Sequence, residues 1–120
     1  RPVVAAVADD RLVVADATFL HAADRGRLAL VAASRASPLV FVECRAEASV
    51  LRARLEARAE TSSVSDARWD TYLEQRRLRE PFSAGEPHIV IDTTGSLSTA
   101  RAAALRRLWI WRQGRPIDSA

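Results

Sequence analysis

The stretch that decides the fold is residues 12–28, LVVADATFLHAADRGRL. It opens with four apolar residues, 12–15, and a carboxylate follows at Asp16. A continuous apolar run of this length ahead of a helix-like segment predicts a strand that is buried on both faces of a parallel sheet. In open α/β sheets the chemistry gathers just beyond the carboxyl ends of such strands, which is where Asp16 and Thr18 stand.

The rest of the chain repeats this alternation of strand and helix. Two further strands are predicted at residues 39–42, extended to Cys44, and at residues 88–91. Apolar periodicity and capping residues predict helices at 22–34, at 47–60, from Ser65 to about residue 80, and from 97 to about 111. The order of these elements predicts an α/β fold, a parallel sheet flanked by helices.

The composition is that of one globular domain. The chain has 120 residues, of which 48% are hydrophobic and 28% are charged. Its apolar runs are far shorter than the roughly 20 residues that a membrane helix needs, so we expect no membrane partner. The single cysteine, Cys44, permits no internal disulfide. This fits a reducing compartment, and we expect a cytoplasmic protein with Cys44 as a small core residue.

The basic side chains are all arginine, 18 of them, and there is no lysine. One interpretation is codon usage in a GC-rich genome, and the other is a surface for phosphates, whose oxygens the arginine fork matches bidentately. The arginines are interspersed with 15 acidic residues, and the net charge is only +3. Composition alone therefore does not indicate a nucleic-acid partner.

Four segments resemble small P-loop kinases of the gluconate-kinase, polynucleotide-kinase and zeta-toxin type. DATFLHAADR (16–25) resembles the region after their third strand, and VECRAEASVLRARLEAR (42–58) is similar to the strand and helix that lead into their lid. YLEQRRLREPF (72–82) resembles the end of the lid, with Arg79 where leucine is usual, and HIVIDTTGS (88–96) resembles the fifth strand and its turn. As a whole the chain resembles the ATP-binding, AAA-family kinase-like domain that bacteria often fuse behind an aminoglycoside-phosphotransferase-like domain.

The resemblance implies a three-layer P-loop NTPase-like parallel sheet with flanking helices, truncated here to about three strands. It implies one partial domain over residues 1–120, with a lid at about 59–82. The Walker A motif GxxxxGK[ST], which holds the nucleotide phosphates in these kinases, is absent from the 120 residues. We therefore expect this chain to correspond to the C-terminal part of such a kinase.

The sheet order of these kinases is 2-3-1-4-5, which places the missing first strand between residues 12–15 and 39–42. At about 4.8 Å per strand, its absence leaves a gap of roughly 10 Å. An open gap strands backbone donors and acceptors. We expect either that the two strands pair directly or that the N-terminal segment or another chain fills the slot.

The resemblance also assigns roles to individual residues. It implies catalytic roles for Asp16, Thr18 and Arg58, with Asp16 beside Mg²⁺ or the acceptor hydroxyl, and a substrate-binding role for Arg25. The implied ATP-binding residues lie on the helix before the lid, on the lid helix and after the last strand: Arg54, Arg58, Arg76, Asp92 and Thr93. From the residues alone, a carboxylate at the end of a buried strand suits a metal-bound water or the acceptance of a proton.

Each assignment has a structural alternative. Asp16 is also consistent with a cap on the following turn, and Arg25 with a residue that pins the loop. Arg54 and Arg58 also fit a solvated helix face with local glutamate partners. Asp92 fits a turn that starts a helix.

The sequence leaves two functions open. The first is the acceptor-side and lid half of an ATP-dependent phosphotransferase, a kinase that acts on a small molecule with ATP and Mg²⁺ and is inactive without its P-loop. The second is a degenerate, non-catalytic kinase-like module that binds or supports a partner. A GxxxxGK[ST] motif upstream of Arg1 favours the first.

Overall fold

The computed structural model describes residues 12–115, which contain four helices and one two-stranded sheet. The helices are α1 (Ala22–Ser34), α2 (Ala48–Arg58), α3 (Ser62–Leu78) and α4 (Leu97–Arg112). The strands are β1 (Phe41–Arg45) and β2 (His88–Asp92). The predicted α/β class is confirmed, together with the order of these six elements. None of the helices in the described range is long and apolar enough to cross a membrane.

The two strands lie parallel, with Phe41 opposite His88 and Arg45 opposite Asp92. Parallel neighbours need a crossover connection, and α2 and α3 supply it. The carboxyl ends of both strands therefore meet at one edge, where the turn at residues 93–95 leads into α4.

The core lies between β2 and α4. Ile89 and Ile91 are buried, and they pack with Ala100, Ala104 and Leu108 of the helix. The apolar periodicity of the last helix predicts one buried stripe, Leu97, Ala100, Ala104, Leu108 and Trp111, and this prediction is wrong at Leu97. Leu97 is 82% exposed, because the first turn of α4 lies beyond the end of β2 at Asp92.

The predicted strand at residues 12–15 is wrong. These residues form no ladder with any described residue, and Leu12 and Val14 are 90% and 84% exposed. A strand exists only where a neighbour takes its backbone hydrogen bonds, and β1 is paired on its other side with β2. Direct pairing of this segment with β1, one of the two arrangements expected, is therefore wrong. The N-terminal segment expected to fill the slot lies outside the described residues.

Two further local expectations need correction. Cys44 is exposed rather than in the core. It shares a face of the sheet with Ile91, its register partner, but α4 packs against β2 and leaves that part of β1 uncovered. The third helix begins at Ser62 and not at Ser65, because the Thr61 side chain accepts a hydrogen bond from the Val64 N–H and supplies the N-cap.

Candidate functional site

The candidate site is a groove of about 520 Å³ between α2 and α3. Each helix contributes four residues at the spacing i, i+3, i+4, i+7, which places them on one helical face. The lining residues are Leu51, Arg54, Leu55 and Arg58 from α2, and Arg68, Thr71, Tyr72 and Gln75 from α3. Leu51 and Leu55 are half-buried, whereas the three arginines are exposed.

The groove carries positive charge without a carboxylate to balance it. Three arginines line it and no acidic residue does. Other arginines of the same two helices are paired: Arg52 with Glu56 at 3.4 Å, and Arg77 with Glu74 at 2.6 Å. Within residues 12–115, Arg58 and Arg68 have neither an ion-pair nor a side-chain hydrogen-bond partner. Arg58 and Arg68 therefore present guanidinium groups without a partner in the described range to a space where a ligand with several negative charges would fit.

An aromatic pair supports one wall of the groove. Tyr72 stacks on Trp69 with ring centroids 5.1 Å apart and planes tilted by 28°. The guanidinium of Arg52 lies 5.4 Å from the centre of the Trp69 ring. The stack therefore supports the Tyr72 ring, which lines the groove.

Arg54 joins the groove to the end of the sheet. Its Nη2 donates to the carbonyl oxygens of Thr93, Thr94 and Gly95 at 2.5, 3.2 and 3.2 Å. In the same turn, the carboxylate of Asp92 accepts a hydrogen bond from the Thr94 N–H at 2.8 Å. Hydrogen bonds from the Thr94 side chain and backbone lower the pKa of Asp92. Asp92 and Thr93 thus build the turn that starts α4, the structural alternative for these two residues.

Arg25 is enclosed by the protein and has no donor left for a substrate. It is 1% exposed. Its Nε and Nη2 donate to the Glu86 carboxylate at 2.7 and 3.2 Å. The remaining N–H groups donate to the carbonyl oxygens of Phe19, Glu80 and Pro81 at 3.0 to 3.1 Å. These contacts use all five N–H donors of a guanidinium, so the geometry supports the pinning role and not substrate binding.

The Arg25–Glu86 pair is electrostatically strong. The hydrogen bond from Arg25 is the largest cause that lowers the pKa of Glu86 to about 2, and the Ser83 N–H adds to it. Glu86 in turn raises the pKa of Arg25. The Arg25 guanidinium also lies 4.4 Å from the centre of the Phe82 ring. The pair therefore clamps the start of α1 to the segment that leads into β2.

The loop before α1 is strained at the point where this clamp holds it. Phe19 has φ of +45°, in the left-handed region that residues with a bulky side chain rarely adopt. Its carbonyl is held by Arg25, and its ring packs edge-on against Phe41 at 5.6 Å. The strain is thus offset by a buried hydrogen bond and an aromatic contact.

The predicted catalytic residues are not assembled. Asp16 and Thr18 are exposed, and no hydrogen bond or ion pair among residues 12–115 joins them to Arg58. The neighbouring Phe19 packs at the start of β1, whereas Arg54 attaches the groove to the turn that follows β2. The structure therefore ties the Phe19 loop to the start of β1 and Arg54 to the turn after β2.

The predicted ATP-binding residues lie in three places, of which the turn with Asp92 and Thr93 is described above. Arg54 and Arg58 share the groove, while Arg76 is exposed on α3 and does not line it. Sequence reasoning missed Arg68 and Tyr72. The sequence could have indicated them, because Arg68, Tyr72 and Gln75 have the same i, i+4, i+7 spacing as the groove residues on α2.

The comparisons with known proteins give one family. The model of the family described as "AAA domain" matches residues 2–81, two thirds of the chain. No curated protein and no solved structure matches. The matched range contains every residue of the groove, including both arginines that have no partner in the described range.

Proposed function

This chain belongs to the AAA domain family, and from that premise we propose that it forms the acceptor-side and lid half of an ATP-dependent phosphotransferase that acts on a small molecule. The observation that carries the proposal is the groove between α2 and α3, in which three arginines face one space with no carboxylate among its lining residues.

The chemistry of phosphoryl transfer explains why such a groove suits this reaction. The protein supplies positioning and positive charge more than covalent chemistry, because the charge of the transferred group is spread over its oxygens. Arg58 and Arg68 approach from two different helices, so that a chain of phosphates can lie between them. Arginine forks bind phosphate oxygens bidentately, which fixes orientation as well as charge. ATP, when bound, supplies the transferred phosphoryl group.

The described residues could supply only a small share of the ligands of a Mg²⁺ ion. They contain no group of three side chains that could hold a metal ion. Mg²⁺ is often bound by one or two carboxylates together with substrate phosphates. We therefore propose Asp16 as a single protein ligand or as the acceptor of the hydroxyl proton, with Thr18 beside it. Either role requires the loop before α1 to face the bound phosphates in the whole protein.

We propose that the P-loop comes from a segment before residue 1 or from another chain, and that it docks at the outer edge of β1. On the outer edge of β2 one backbone group is bonded, since Arg107 donates to the Val90 carbonyl. On β1 the register turns the backbone groups of Val42 and Cys44 away from β2, and no described residue outside the strands bonds them. An edge with unbonded N–H and C=O groups favours the addition of a strand there.

A degenerate kinase-like module remains the second candidate. The observation in its favour is the absence of lysine and of GxxxxGK[ST] from all 120 residues. A phosphotransferase must obtain its phosphate-binding P-loop from elsewhere, whereas a binding module does not need one. Transfer of phosphate from labelled ATP by the full-length protein separates the two.

The groove is tested by single substitutions in the full-length protein. Arg58→Met and Arg68→Met should each weaken Mg·ATP binding about 10-fold, the loss of one hydrogen-bonded charge of about 1.5 kcal/mol. Arg77→Met is the matched control, because Arg77 lies on α3 and is paired with Glu74 outside the groove. Affinities that change equally for Arg77→Met and Arg58→Met would exclude the groove as the phosphate site.

A further inference from the structure

The turn at residues 93–95 directs three consecutive carbonyl oxygens at one nitrogen of Arg54. The turn is also tied to the sheet, since the Thr93 N–H and hydroxyl both donate to the Arg45 carbonyl, at 2.6 and 3.1 Å. A third link runs to α2, where the Glu47 N–H donates to the Thr94 hydroxyl at 3.1 Å. The turn is therefore a junction between the two strands and α2.

These links give the groove one wall that is fixed to the sheet. α2 is held at its N-cap through Glu47 and in its middle through Arg54. The other wall, α3, has no hydrogen bond to this turn within the described range. Arg54 is the only groove residue that contacts the turn among the described side chains.

The guanidinium nitrogens of Arg54 lie in two different surroundings. Nη2 faces the carbonyl oxygens, while Nε and Nη1 have no hydrogen-bond partner among residues 12–115. An arginine side chain loses rotamer freedom when a ligand orders it, and this loss opposes binding. The carbonyl oxygens order Arg54 in advance, so an anion in the groove meets a guanidinium that is already placed.

We propose that Arg54 is a positioning residue that couples anion binding in the groove to the order of the 93–95 turn. An anion that binds the exposed side of the guanidinium holds it against the carbonyl oxygens. Coupling between two equilibria is reciprocal, so order in the turn favours the anion to the same degree. The inference shares one premise with the proposed function, namely that the groove binds an anion.

The test uses the full-length protein with sodium tripolyphosphate as the probe. Backbone hydrogen exchange reports the order of the turn, because the Thr93 and Thr94 amides are both hydrogen-bonded. In the wild type the probe should slow exchange at these amides. Arg54→Met should speed exchange without the probe, remove the response to it and weaken binding about 2- to 5-fold, the range for one exposed ion pair. Arg77→Met, whose arginine is paired with Glu74 outside the groove, should behave as the wild type.

The outcomes separate the two proposals. Suppose that Arg58→Met weakens binding of the probe, but the probe still slows exchange in the turn of Arg54→Met. The coupling is then overturned, and the assignment of the groove as an anion site stands. Failure of the probe to bind the wild type overturns both. If Arg54→Met does not fold, Arg54→Lys retains the charge but not the fork, and it should keep most of the affinity while losing part of the exchange response. A full response in Arg54→Lys contradicts the role of the fork.

Discussion

The clamp between Arg25 and Glu86 should make the protein lose stability in acid over a defined range of pH. Glu86 has a pKa of about 2 in the folded protein against 4.5 as its ordinary value, with the hydrogen bond from Arg25 as the main cause. The difference corresponds to about 3 kcal/mol of preference for the ionised carboxylate in the fold. Because the folded pKa is the lower one, this contribution is fully present above the ordinary pKa and is lost as the pH falls from about 5 to about 2.

The loss can be evaluated at an intermediate pH. At pH 3 the unfolded carboxyl is mostly protonated while the folded one is mostly ionised, so about 2 kcal/mol of the total is already lost. Small domains are stable by about 5–15 kcal/mol, so this is a large fraction. Glu86→Gln removes the titrating group. We expect the variant to be less stable than the wild type at pH 7, and to lose about 2 kcal/mol less unfolding free energy than the wild type between pH 7 and pH 3.

Urea unfolding at pH 7, 4 and 3, followed by circular dichroism, measures the difference. The control is Glu74→Gln, which removes an exposed carboxylate whose partner Arg77 lies one turn away on α3. The hydrogen bond from Arg77 also lowers the pKa of Glu74, but exposed pairs of this kind contribute little, so Glu74→Gln should keep most of the pH dependence of the wild type. An equal loss of stability between pH 7 and 3 in the wild type and in Glu86→Gln would refute the reasoning.

Three further predictions concern the local backbone and the isolated chain. Ala36 follows α1 with φ of +49°, a backbone conformation that glycine adopts more easily than alanine. Ala36→Gly should therefore raise the free energy of unfolding by about 0.5–1 kcal/mol. The control Ala33→Gly, inside the helix, should lower it by about 1 kcal/mol. Thr61→Ala removes the N-cap of α3 and should cost about 1 kcal/mol in urea unfolding; no change means that the hydrogen bond to Val64 adds nothing. Residues 1–120 alone should show no micromolar, Mg-dependent ATP binding in isothermal titration, and such binding contradicts the need for a separate P-loop.

The helices and both paired strands could be predicted from local sequence because their signals are local. The apolar period of residues 22–34 predicts α1, which spans Ala22–Ser34. The strand predicted at residues 12–15 fails for the opposite reason. An apolar run shows that a segment can be buried, but not whether a neighbour is present to take its backbone hydrogen bonds.

The site was predictable in part. Arg54 and Arg58 stand on one helical face by their spacing, and they line the groove together. The role of Arg25 was not decidable from sequence, because its partner Glu86 lies 61 residues away. The position of Asp16 depended on a strand that does not form, so the catalytic set built on it is not assembled in the described residues.

The position of bound phosphates can be measured directly. A crystal structure of the full-length protein with Mg²⁺ and a non-hydrolysable ATP analogue should show phosphate oxygens within about 3 Å of the Arg58 and Arg68 guanidinium groups. Phosphates bound elsewhere, with no analogue in the groove between α2 and α3, would contradict the assignment of this groove to the nucleotide.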